Sequence, residues 1–153
     1  MSGRRKGLIG AVAASVLFAT AIVAAPVVVA GSDGSADPRD AGQIALGRDV
    51  YVQSCAACHG DNLEGQPNWR QRGPSGRLPA PPHDETGHTW HHPDQVLFEM
   101  TKYGTGRFLG ESYKSDMPVF DGILSDTEIW AALSYIKSRW PAKFLAMQER
   151  TNR

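Results

Sequence analysis

The sequence predicts an all-α domain of three to four helices joined by long loops. Three observations carry that expectation. A stretch near the C-terminus opens on a capping box and repeats apolar residues at helical spacing. A second helical stretch, beginning near Asp40, places a glycine and an aromatic on one face. No segment alternates apolar and polar residues as a half-buried strand would.

The chain has 153 residues, enough for one domain of about 100 residues and an N-terminal segment, near the lower end of comfortable core size. Its 16 basic and 16 acidic residues balance. Arg4, Arg5 and Lys6 lie within residues 1–30, which hold no acid, so the remainder carries 13 basic against 16 acidic groups, a formal −3. Nucleic acid is therefore excluded as a partner class.

Taken in order, Arg4, Arg5 and Lys6 precede an almost unbroken apolar run from Gly7 to Ala30. At about 1.5 Å per helical residue this run could cross a bilayer, and positive charge on its short N-terminal side predicts export of the rest. A cleaved signal peptide, with Val28-Val29-Ala30 before the cut, and an uncleaved membrane anchor both fit residues 1–30; the anchor explains the excess length better. Either way the domain is expected outside the cytoplasmic membrane, on its periplasmic side. Residues 31–39, rich in Gly, Ser, Asp and Pro, read as a flexible linker.

The domain itself is expected over residues 40–141. Asp40, with Gln43 three residues on, is an N-cap for a helix to about Ser54, and Ile44, Gly47 and Tyr51 share a face. A glycine beside an aromatic there suggests a close helix crossing. Pro93, Asp94 and Gly104 bracket a shorter helix through Val96, Leu97 and Met100. Ser125 and Glu128 form the C-terminal capping box, with Leu124 and Ile129 as the staple, and Ile129, Leu133, Ile136 and Trp140 form the stripe that Pro141 stops. Tyr135 beside that stripe could pack near Gly47 and Tyr51. Residues 142–153 read as a C-terminal tail.

Cys55-Ala56-Ala57-Cys58-His59 carries the chemistry. Two thiols at this spacing add across the vinyl groups of one haem, and the histidine that follows is carried under the iron as its proximal ligand. Both cysteines of the chain sit in this motif, so no disulfide framework remains. A redox dithiol or a zinc site completed by His88 and His92 competes with that reading, although the gap to His88 is about twice the zinc-finger gap.

These features resemble class I cytochrome c: the Gly and aromatic N-terminal helix, C-A-A-C-H-G, a Met-Pro loop, and a C-terminal helix with a central Tyr. The likeness covers about Asp40 to Pro141, and is greatest to small single-haem bacterial members, some of them membrane-anchored. It implies the cytochrome c fold around one covalently attached haem c, with Cys55 and Cys58 as attachment points, His59 as proximal and Met117 as distal iron ligand. It also implies an electron carrier rather than an enzyme. Local chemistry supports Met117: Met1 is the start, Met100 faces the middle helix's apolar side, Met147 follows the last helix, and Pro118 holds Met117 extended. The alternative for Met117 is core packing. The resemblance further implies a proline carbonyl accepting from His59, for which Pro74 and Pro81 both qualify, and a Trp90 indole available to a propionate.

Thioether ligation in an apolar pocket implies a mid-to-high potential, and two filled axial positions leave no place for a small-molecule substrate. Partners by this analogy are redox proteins, such as a quinol-oxidising respiratory complex and a terminal oxidase or dehydrogenase, with the membrane itself bound through residues 1–30 if they are retained. A haem enzyme or gas sensor with an open or labile distal site is the alternative function. A structural metal module using Cys55, Cys58, His88 and His92 is a third. His83, His88, His91 and His92 form a cluster that could bind copper or zinc, supply a distal ligand, or simply form a polar loop with one histidine near a propionate and others capping the helix at Pro93.

Overall fold

A computed structural model describes residues 34–110 and 112–153. It is helical, and no strand occurs among the described residues. The apolar run Gly7–Ala30 lies outside them, as do the first three positions of the expected linker. Among the described residues no helix is long and apolar enough to cross a membrane.

Helix α1 spans Ala41–Ser54 and opens as expected on Asp40, whose carboxylate accepts from the backbone N–H groups of Gly42 (2.8 Å) and Gln43 (3.0 Å). Its buried face differs by one step from the expected one: Gln43, Gly47, Val50 and Tyr51 are inside, and Ile44 is only half-buried. The reason is polar. Gln43 Oε1 accepts from the Ser134 hydroxyl (2.6 Å) and from Asp37 N–H (3.2 Å), so the amide is turned inward instead of closing a capping box.

Helix α1 leads directly into a short α2 (Ala56–His59), and a 3₁₀ turn at Thr89–His91 precedes α3 (Asp94–Tyr103). On α3 the buried residues are Leu97 and Phe98, whereas Val96 and Met100 stay half-buried. A single turn, α4 (Gly106–Leu109), follows. Helix α5 (Asp126–Ser138) carries both halves of the expected capping box: Glu128 N–H donates to Ser125 Oγ (3.3 Å), and Ser125 N–H donates to the Glu128 carboxylate (2.8 Å). Ile129, Leu133, Ile136 and Trp140 are all buried, as their spacing requires.

Helices α1 and α5 cross in tight contact. A β-carbon built on Gly47 would lie 1.8 Å from the carbonyl oxygen of Ala131, so only glycine fits the crossing. One turn further on, the Tyr51 and Tyr135 rings meet at 5.4 Å between centroids. One core cluster gathers Leu97, Phe98, Ile129, Trp130 and Leu133, with the Phe98 and Trp130 rings stacked at 4.3 Å; the other gathers Tyr51, Ala56, Leu63, Ile136 and Trp140 around the cysteine motif.

Two boundaries differ from expectation. The later part of the supposed linker is docked: Ala36 belongs to the first core cluster, and its carbonyl accepts from the Lys137 ammonium (3.1 Å). The supposed tail forms α6 (Ala142–Thr151). Its anchor is a buried glutamine, since Gln148 is fully enclosed and donates to Asp94 (2.5 Å) and to the His92 carbonyl (3.3 Å). Phe144 and Leu145 of this helix also pack on the second core cluster; Pro141, expected to stop the preceding helix, is the N-cap of this one.

Candidate functional site

Cys55, Cys58 and His59 are brought onto one turn of backbone by continuous hydrogen bonding. Cys55 N–H still donates to Tyr51 O of α1 (2.9 Å), while Cys58 and His59 N–H both donate to Cys55 O (3.1 and 2.9 Å). The end of this turn is fixed from the core, because the Tyr51 hydroxyl donates to the Gly60 carbonyl (2.8 Å). Burial raises the Tyr51 phenol well above its ordinary range, so it stays protonated and able to donate. Cys55 is half-buried and Cys58 exposed, and neither is in a disulfide. Burial, helped by the nearby Cys58, pushes the Cys55 thiol up to about 11.

The next segment returns to hold the histidine. Gly65 N–H donates to His59 O (2.7 Å), and Leu63, at a positive φ of 71° and 1% exposed, offers its carbonyl to His83 N–H (2.8 Å). At Gly65 a β-carbon would fall 2.4 Å from Pro82 N, so the bare backbone is what lets the proline-rich loop approach. That approach delivers Pro81 O to 2.8 Å from His59 Nδ1. Pro81, not Pro74, is thus the carbonyl partner. A carbonyl only accepts, so Nδ1 carries the proton and Nε2 keeps its lone pair. Burial lowers the His59 pKa, and the Pro81 carbonyl opposes that only in part, leaving the ring neutral at pH 7.

Met117 lies on a separate loop between α4 and α5 and is half-buried. Its N–H donates to Ser115 Oγ (3.0 Å). Further along, Phe120 is buried, and the Phe120 and Asp121 N–H groups donate to Thr101 O (3.3 Å) and Lys102 O (2.9 Å) on α3. An Arg77–Asp116 ion pair at 3.1 Å joins this loop to the one that carries Pro81.

The histidine cluster is dispersed by folding. His83 stacks on His59, with centroids 4.0 Å apart and planes 20° from parallel. His88 stacks on Trp69 at 5.4 Å with His92 edge-on to it, and His91 lies on Trp90 at 3.6 Å. Among the described residues no three His, Cys, Asp or Glu side chains gather to hold a metal ion, so the Cys55-Cys58-His88-His92 set is not assembled. His83 thus lies side by side with His59, with its own Nδ1 turned to the Thr89 hydroxyl at 2.8 Å. Sequence reasoning placed His83 in that cluster and missed its contact with His59; its position two residues past Pro81 was the available signal.

Among the described residues, three buried side-chain polar atoms have no hydrogen-bond partner: Trp90 Nε1, Thr105 Oγ1 and Arg77 Nε. The Trp90 ring is itself well packed, against His91 and against Phe144 at 4.7 Å. Unpaired buried donors of this kind are expected where a bound group with polar edges completes the site.

The cytochrome c family model matches residues 44–140, well over half of the chain. The chain belongs to the cytochrome c family. Neither the curated proteins nor the solved structures gave a match. Cytochrome c domains bind haem c covalently, and the single C-x-x-C-H spacing of this cytochrome c accords with one haem. The family generally transfers electrons rather than catalysing a reaction, and its domains are typically extracytoplasmic.

Proposed function

We propose that this chain carries single electrons through one haem c, attached at Cys55 and Cys58 and ligated by His59 and Met117, between redox proteins on the periplasmic face of the cytoplasmic membrane. The observation that carries this reading is the Pro81 carbonyl 2.8 Å from His59 Nδ1, on the helical turn that bears both thiols.

Cys55 and Cys58 would hold the macrocycle through thioether bonds. His59 presents an unprotonated Nε2 in a fixed direction, and its hydrogen bond to Pro81 makes that nitrogen a better donor to iron. The bound haem supplies a reversible ferric–ferrous couple. Met117 contributes a neutral, soft sulfur that favours the lower charge state and raises the potential. Trp90 Nε1 and Thr105 Oγ1 are donors available to propionate oxygens. With His59 and Met117 both given to the iron, the bound group would be limited to electron transfer. The partners fitting this role are a quinol-oxidising respiratory complex as donor and a terminal oxidase or dehydrogenase as acceptor, each met through a small transient interface. Residues 1–30 would keep the domain at the membrane or direct its export.

Protein matured in a host competent for haem attachment is expected to give a thioether-linked spectrum in alkaline pyridine, and its ferric form the weak far-red band of methionine ligation. A haem spectrum without that band, together with rapid carbon monoxide binding to the reduced protein, would favour the open-site enzyme or sensor. No covalent haem would end the reading.

A further inference from the structure

We infer that His83 is a positioning residue for the proximal histidine, its ring lying flat against His59 and fixing the plane in which the iron ligand stands. The inference rests on the haem reading above and concerns a residue outside the attachment motif.

The terminal torsion of a histidine is broad, and one hydrogen bond tolerates tens of degrees of rocking out of the ring plane. The Pro81 carbonyl therefore sets where His59 Nδ1 points without setting the tilt of the ring about that direction. A second planar ring at 4.0 Å, 20° from parallel, closes one face of His59 and removes that freedom.

His83 is held firmly enough for the task. Its N–H donates to Leu63 O (2.8 Å), its carbonyl accepts from Trp140 Nε1 (2.7 Å), and its Nδ1 lies 2.8 Å from the hydroxyl of Thr89. Thr89 is only 5% exposed, so that hydrogen bond is sheltered. Tyr51 meets the ring edge-on, with centroids 6.5 Å apart. Restraint thus arrives from the loop after α2, from the 3₁₀ turn, from the end of α5 and from α1, and it converges on one imidazole. An aliphatic side chain could fill the same volume, but it offers no plane to stack on and no hydrogen bond to Thr89.

The plane of an axial imidazole selects the iron d-orbital that it overlaps, and so sets the magnetic axes of ferric haem. The test uses the full-length protein with its haem attached, as native chain, His83→Leu and Thr89→Val. The readouts are the ferric electron paramagnetic resonance anisotropy and the order of the paramagnetically shifted haem-methyl resonances. His83→Leu is close in volume and is expected to keep the covalent haem and the far-red band while altering both readouts, with a lowered unfolding midpoint because the buried Thr89 hydroxyl loses its partner. Thr89→Val, which frees His83 Nδ1 without removing the ring, is expected to move them part-way in the same direction. Native anisotropy and native methyl order in His83→Leu would overturn the inference. If that variant yields no holoprotein, an unchanged pattern in Thr89→Val does so instead. Failure of the parent reading is visible separately, as a native protein without a thioether-linked spectrum.

Discussion

Replacing Gly47 with alanine puts one methyl group where α1 crosses α5, and the structure sets the size of the effect. The added carbon would sit 1.8 Å from Ala131 O and 2.4 Å from Ala131 C, against an ordinary contact of at least 3.4 Å. The shortfall is about 1.6 Å, and the atoms in the way are backbone, so no side chain can turn aside. Overpacking of a close-packed contact costs about 1–3 kcal/mol, and a backbone clash belongs at the upper end. Alanine recovers about 1 kcal/mol through its better helix propensity. The net expectation is a loss of about 2 kcal/mol, or roughly 10 °C in Tm for a domain of this size. Urea titration of the holoprotein, followed by far-UV circular dichroism, measures it. Gly106→Ala is the control, since nothing lies within 4 Å of its added carbon and its φ is not positive. If Gly47→Ala proves as stable as Gly106→Ala, the close-crossing argument is refuted.

Lys137→Met removes the partner of Asp94 from a pair 2.6 Å apart and only 4% and 16% exposed; Gln148 and Asn152 still donate to that carboxylate, so a loss of about 3 kcal/mol in urea titration is expected, at the low end for a broken buried pair. His88 and His92 have pKa values lowered from 6.5, in each case first by burial and then by neighbouring histidines. The unfolded chain then binds protons more readily than the folded one, so their contribution to stability is lost as pH falls below about 6.5 and on through the lower folded values. Unfolding midpoints measured across that window should fall with pH, and His88→Gln with His92→Gln should flatten the slope. Met117→Ala should keep the thioether-linked haem, lose the far-red band and lower the potential, whereas Cys58→Ala should cripple haem retention. An unchanged potential and spectrum in Met117→Ala would remove it from the ligand set.

The residues that could be placed from sequence are those whose role is local. Asp40 and the Ser125–Glu128 box act within one helical turn, so a linear reading finds them. The apolar stripe of α5 is legible for the same reason. Gly47 was legible because a glycine in a helix interior is a cost that needs a compensating contact. What escaped the pattern is long-range and polar: Gln43 turned toward Ser134, Gln148 toward Asp94, and Ala36 held by Lys137. These groups satisfy backbone and side-chain donors across the fold, and hydropathy has no symbol for that. The choice between Pro74 and Pro81 was open because it depends on how closely the loop after α2 approaches, which Gly65 decides in three dimensions.

Tyr51 shows why fold and site cannot be separated in this protein. Its ring packs on Tyr135 of α5 and meets His83 edge-on, its hydroxyl holds the Gly60 carbonyl, and its own carbonyl accepts from Cys55 N–H. It lies one turn after the Gly47 crossing and one turn before the first cysteine. The crossing of α1 with α5 therefore fixes the height at which the cysteine turn leaves the core, and the Tyr51 hydroxyl fixes where that turn ends. Pro81 and His83 then approach from the other side. A disturbance at the crossing is transmitted along one helical face to the attachment turn, whereas α6 meets the cluster around that turn through the side chains of Phe144 and Leu145. Stability and proximal-ligand geometry should accordingly move together for changes at Gly47 and Tyr51, and separate for changes at Lys137 and Gln148.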